Sequence, residues 1–237
     1  MSSEDPWALL LDYCALAREK PGFDAEEREE LEAVASALRT AAAAARDHGE
    51  WMGTLAEAVL RPSLPTIATP LPTCTTLRDQ RWLRDWAARD QESLRLALAR
   101  FATPDTAPID RYADFATAAD AAGVAGRSAD DARALLTFGS LLNFAVDPVS
   151  LPFVRPGPYR QLAAILGYEL APAASSAEHY EQHLSLAGEV RDRLQAAGVE
   201  VRDMLDVGSL ILNAAAVHEF WAPGRRCSEL PTNRSRS

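Results

Sequence analysis

Along most of this chain apolar residues recur three and four positions apart, the spacing that places them on one side of an α-helix. The first such run holds Trp7, Leu10, Leu11 and Cys14. Asp5-Pro6 predicts its start, an N-cap with a first-turn proline, and Pro21-Gly22 predicts its end. Asp24 with Glu27 has capping-box spacing and opens a longer helix with Leu31, Val34, Ala35 and Leu38 inward, closed by His48-Gly49. A short helix follows from Trp51 to Leu60. Leu77 to Phe101 then presents Trp82, Leu83 and Trp86 before Leu94, Leu98 and Phe101, with Asp90 as the divide between two helices. Another begins near Ile109 with Tyr112 and Phe115 inward.

Ser128 with Asp131 predicts a further cap. In the helix behind it, Leu135, Leu136, Phe138, Leu141, Leu142 and Phe144 make a band too broad for a surface helix, so this element should be buried. The last helices are expected from Tyr159, from Ser176 to Ala197 (Tyr180, Leu184, Leu186 or Ala187, Val190 and Leu194 inward) and from Asp203 to about Trp221. No run alternates long enough to predict a strand. The predicted fold is all-α, a multi-helix globular bundle of about nine or ten helices joined by proline-rich connectors. It is read as one domain over 1–222, with the proline-rich stretch 61–76 as the place for a sub-boundary and 223–237 as a disordered tail.

Composition narrows the function classes. The formal net charge is -10, which argues against a surface that binds nucleic acid throughout but leaves room for a local basic patch. Lys20 is the only lysine, so nearly all positive charge sits on arginine, whose planar fork suits phosphate and carboxylate. No apolar run nears the roughly 20 residues needed to cross a bilayer, and the start MSSEDPWALL lacks a basic signal-peptide region. Cys14, Cys74 and Cys227 are widely spaced and odd in number, which predicts free thiols and a cytoplasmic location.

Catalytic motifs are sparse. There is no P-loop, no Gly-x-Ser-x-Gly, no Cys-x-x-Cys and no Gly-x-Gly-x-x-Gly, so no cofactor and no enzymatic activity are expected. His179 and His183 stand four apart and would share a helix face, the minimum for a metal pair. Tyr180 occupies the position where a zincin needs its glutamate, so surface or partly buried histidines without metal are the expected reading. Carboxylate pairs such as Asp130-Asp131 read as solvated faces.

The stretch AVDPVSLPFVRPGPYRQLAAILGYEL, 145–170, interrupts the helical pattern with Pro148, Pro152, Pro156 and Pro158, and carries Arg155 and Arg160. Asp147-Pro148 should end the preceding helix, because a residue before proline is pushed out of the α region. Pro158 is the expected first-turn proline of the next one. The segment reads as a rigid corner first and a binding edge second.

From LLTFGSLLNFAVDPVSLPFVRPGPYRQLAAILGYEL through AEHYEQHLSLAGEVRDRLQAAGVEVRDMLDVGSLI, the chain resembles the N-terminal region of McrB-type AAA+ restriction proteins. The motor domain of that family, with its Walker A loop, has no counterpart here. The resemblance implies a non-catalytic recognition or adaptor module of a restriction or phage-defence system. An AAA+ motor or nuclease subunit would be its partner, homo-oligomers would follow by analogy with motor rings, and DNA contact would run through Arg155, Arg160, Arg127 and Arg133. The alternative is a helical protein–protein interaction module that binds no nucleic acid. A positive strip joining the four arginines would favour DNA; arginines dispersed and paired to carboxylates would favour protein contact.

Overall fold

The computed structural model describes residues 5–19, 25–59, 76–103 and 105–217. Within them lie ten α-helices, one 3-10 turn and no strand, an all-α globular bundle as the periodicity predicts. The helices are α1 (Pro6–Arg18), α2 (Ala25–Arg46), α3 (Trp51–Val59), α4 (Leu77–Arg89), α5 (Gln91–Ala99), α6 (Pro108–Ala121), α7 (Ala129–Val146), α8 (Pro156–Leu166), α9 (Ser176–Ala196) and α10 (Met204–Val217). Asp24, the tail 223–237 and residues 61–75 of the proline-rich stretch lie outside the described residues, while Thr76 N-caps α4.

Helix ends follow local chemistry. The Asp5 side chain accepts from the Trp7 amide, Asp90 from Ser93, and Ser128 from Asp131, each meeting an amide that has no partner inside its helix. Asp90 also ends α4, so one residue separates α4 from α5. At the other ends the chain turns left-handed at His48, Gly123, Gly167 and Gly198. In each case the next amide reaches back five residues, to Ala44, Ala119, Ala163 and Leu194, a Schellman closure.

The central element is α7. Every residue from Ala134 to Ala145 is buried, and the helix touches α2, α4, α6, α8 and α9. Its Phe138 stacks on Trp82 at 5.9 Å; Trp86 meets Phe115 at 5.2 Å and Phe115 meets Phe101 edge-on. Large side chains buried this way are worth about 1.5–3 kcal/mol each, which makes this layer a main anchor of α4 and α6 on α7. The buried apolar residues form one connected cluster from Leu10 to Ala215, with members in every α-helix.

Two predicted faces are displaced. On α1 the buried set is Leu10, Tyr13, Cys14 and Ala17, with Trp7 and Leu11 half-buried; the Trp7 ring is instead covered by the Arg193 guanidinium at 4.0 Å. On α9 His183 takes the inward place expected of Leu184. The start of α8 also moves. Arg155 is its N-cap and Pro156 its first residue, so Pro158 is third. A proline fits either place because amides in the first turn have no partner inside the helix.

Candidate functional site

The corner between α7 and α8 is fastened by side chain to backbone. Asp147 ends α7 and its carboxylate accepts from the Ser150 amide at 3.1 Å. The Ser140 hydroxyl, wholly buried, accepts from the Val154 amide at 3.2 Å, and the Val149 carbonyl accepts from Met204 of α10 at 3.0 Å. Leu151, Phe153 and Val154 are buried. The prolines therefore hold a corner that is part of the core.

Arg155 and Arg160 sit on that corner. The Arg155 guanidinium lies 5.3 Å from the centre of the Phe153 ring and is half-buried. Arg160 is exposed and its Nε donates to the Pro156 carbonyl at 3.3 Å. Pro156 and Pro158 strip two of the first three amides from α8, so its N-terminus is a poor anion cradle. The neighbouring cleft, lined by Leu31, Phe144, Arg155, Tyr159 and Ser209 among others, has about 20 Å³ of room. That suits a water rather than a substrate.

Arg127 and Arg133 belong to a different cluster. Arg127 pairs with Asp131 four residues on, at 3.2 Å. Arg133 reaches Asp79 at 3.2 Å, and Asp79 also completes the capping box of α4 with Thr76. Arg78 pairs with Asp130 at 3.3 Å. These contacts rivet the first turn of α7 to the first turn of α4. The four candidate arginines thus occupy two places, and the pair at the start of α7 is committed to carboxylates.

His179 and His183 pack edge-on, ring centres 4.7 Å apart. His183 is fully buried beside Tyr159, and its Nδ1 lies 2.8 Å from the His179 carbonyl of its own helix. Burial, and then the positive charges of His179 and Arg160, lower its pKa to about 4, with the backbone bond opposing, so it is neutral at pH 7. Burial and Arg160 also lower His179. Among the described residues no group of three or more His, Cys, Asp or Glu side chains could hold a metal ion. His183 packs as core, and His179 is half-buried.

Two features escape sequence reasoning. The first is a charged node around Asp206, whose side chain is fully buried. Arg28 of α2 reaches it at 2.5 Å, Arg202 at 2.6 Å and Arg18 of α1 at 3.3 Å, while Asp203 takes both ends of the Arg28 fork at 2.8 and 2.9 Å. Asp203 and then Asp206 hold the Arg28 guanidinium above its usual range, against the opposing effect of burial. The node ties α1, α2 and α10 together. The second feature is on the outside of α4. Among the described residues Arg81, Arg84 and Arg89 are the arginines without an ion pair or hydrogen bond, and all three are exposed. The sequence signal is their place in RDQRWLRDWAAR; their lack of partners is a three-dimensional fact.

No protein-family model, curated protein or solved structure matches the chain.

Proposed function

We propose that this chain is a non-catalytic adaptor module that works through protein contact, and that the resemblance of residues 135–215 to McrB-type proteins names the setting, a restriction or phage-defence system whose AAA+ motor or nuclease subunit is the partner. The observation that carries the reading is the state of the candidate arginines. Arg127 and Arg133 are tied to Asp131 and Asp79, and Arg155 and Arg160 stand apart on another corner. That arrangement favours protein contact over a continuous phosphate track. The net charge of -10 adds long-range repulsion against duplex DNA.

The test is co-expression with each protein encoded in the flanking genes, read by size-exclusion chromatography, alongside fluorescence anisotropy with duplex DNA at low salt. A stoichiometric complex with an AAA+ or nuclease subunit and no saturable DNA binding are the expected results. Saturable DNA binding that weakens in an Arg155→Ala/Arg160→Ala variant, with no protein complex, overturns the reading.

A further inference from the structure

The outer face of α4 is unlike the rest of the surface. The chain carries 34 acidic residues against 24 lysines and arginines, so most cations can find a carboxylate, and most of the described arginines do. Arg46, Arg78, Arg95, Arg100, Arg127, Arg133, Arg191, Arg193 and Arg202 are all ion-paired. Arg39 and Arg160 donate to backbone carbonyls, and Arg111 is bound to Asn143. Arg18 and Arg28 join the Asp206 node and Arg155 lies against Phe153, so among the described residues the arginines left over, Arg81, Arg84 and Arg89, share one helix of 13 residues.

Their positions have the spacing of a packing seam. Leu77, Arg81, Arg84 and Ala88 stand at i, i+4, i+7 and i+11, within about 60° of one another around a helix of 100° per residue. The opposite side of α4 is spent on the core through Trp82, Leu83 and Trp86. Leu77, at the head of the seam, is 81% exposed, the highest value among the exposed large apolar residues. The seam runs apolar, cationic, cationic, small.

We propose that this seam, on the adaptor reading above, is the docking surface for an acidic amphipathic helix of the partner protein. Two glutamates of that helix face Arg81 and Arg84, and its apolar residues cover Leu77 and Ala88. Charge complementarity sets the occupant, because two unpaired guanidinium groups at the centre of a seam match carboxylates presented at the same spacing. A phosphate backbone fits less well. Asp85 flanks the strip, and its two end positions, Leu77 and Ala88, are apolar where a phosphate track would be cationic. Arginine beside exposed aliphatic surface is also what protein interfaces concentrate.

The experiment titrates the full chain with a labelled helical peptide about as long as α4, with leucines at both ends of one stripe and glutamates at its two central positions. The same peptide with glutamines is the control, and a short DNA duplex is the competitor. Wild-type chain should bind the glutamate peptide, and Arg81→Glu/Arg84→Glu should weaken it about tenfold or more, while the glutamine peptide does not distinguish the two chains. Leu77→Ala should weaken both peptides alike. All three side chains are exposed, so thermal melts should be unchanged; Arg81→Gln/Arg84→Gln serves if the reversal alters them. Equal binding to wild type and variants, or no binding, overturns the proposal. So does displacement of the peptide by DNA at low salt, which makes the face a phosphate track. A motor or nuclease complex that ignores the Arg81/Arg84 variants removes this surface and leaves the adaptor reading standing. Peptide binding without any such complex does the reverse.

Discussion

Gly139 lies where α7 crosses α6, and a single methyl group there is the sharpest probe of the core. A Cβ built on it would stand 2.5 Å from Cε2 and 2.6 Å from Cδ2 of Tyr112, about 1 Å inside normal contact. Tyr112 cannot swing aside, since it is 1% exposed and stacked on Tyr180 of α9 with ring centres 4.5 Å apart. Alanine at 139 must therefore push α6 from α7 or break the tyrosine stack. Overpacking of that kind costs about 1–3 kcal/mol, and the better helix propensity of alanine returns about 0.8–1. The net runs from about zero to a loss of about 2 kcal/mol, a fall in Tm of up to about 8 °C for a domain of this size. Gly188, inside α9, is the matched control: a Cβ there meets nothing within 4 Å. Gly188→Ala should gain about 0.8–1 kcal/mol by propensity alone. Urea melts followed by far-UV circular dichroism measure both. A Gly139→Ala protein stabilised as much as Gly188→Ala would refute the close crossing of α6 and α7.

Asp206→Asn should cost about 3–5 kcal/mol in denaturant melts, because three arginines would lose the buried charge they converge on; a loss under 1 kcal/mol would make the node dispensable. His183 sets a pH dependence. Its folded pKa of about 4 lies below the ordinary 6.5, so between these values the unfolded chain holds a proton that the folded chain does not. Stability contributed by this group should fall as pH drops from about 6.5 to 4, by roughly 3 kcal/mol, and His183→Phe should flatten that slope. His48 holds a left-handed φ of 57°, so His48→Gly should stabilise by about 0.5–1 kcal/mol in the same melts, and an unchanged Tm would put the Schellman end of α2 in doubt.

What was legible in the chain is what local chemistry decides. Asp5-Pro6 and Ser128 cap the helices that they were expected to cap, because a cap needs only residues two or three positions apart, and Asp90 divides α4 from α5 as expected. The broad apolar band of 135–144 marked α7 as central for the same reason. The α8 start slipped because Pro156 and Pro158 both satisfy first-turn rules. On α9 an imidazole packs inward where a leucine was expected, and what lies opposite is set by Tyr159 on another helix. Arg127 could be paired to Asp131 by counting four residues; Arg133 could not be paired to Asp79, 54 residues away. The same separation hides Asp206, whose partners come from α1, α2 and the segment before α10. The arginines of α4 are visible as a pattern, and only their lack of an ion pair or hydrogen bond in space sets Arg81, Arg84 and Arg89 apart.

The most direct test uses the complex with the motor or nuclease subunit, formed in parallel with Arg81→Glu/Arg84→Glu and with Arg155→Ala/Arg160→Ala. The complex should be lost with the first pair and kept with the second. A complex that survives the α4 reversal but fails without Arg155 and Arg160 would contradict it and return the α7–α8 corner to the centre of function.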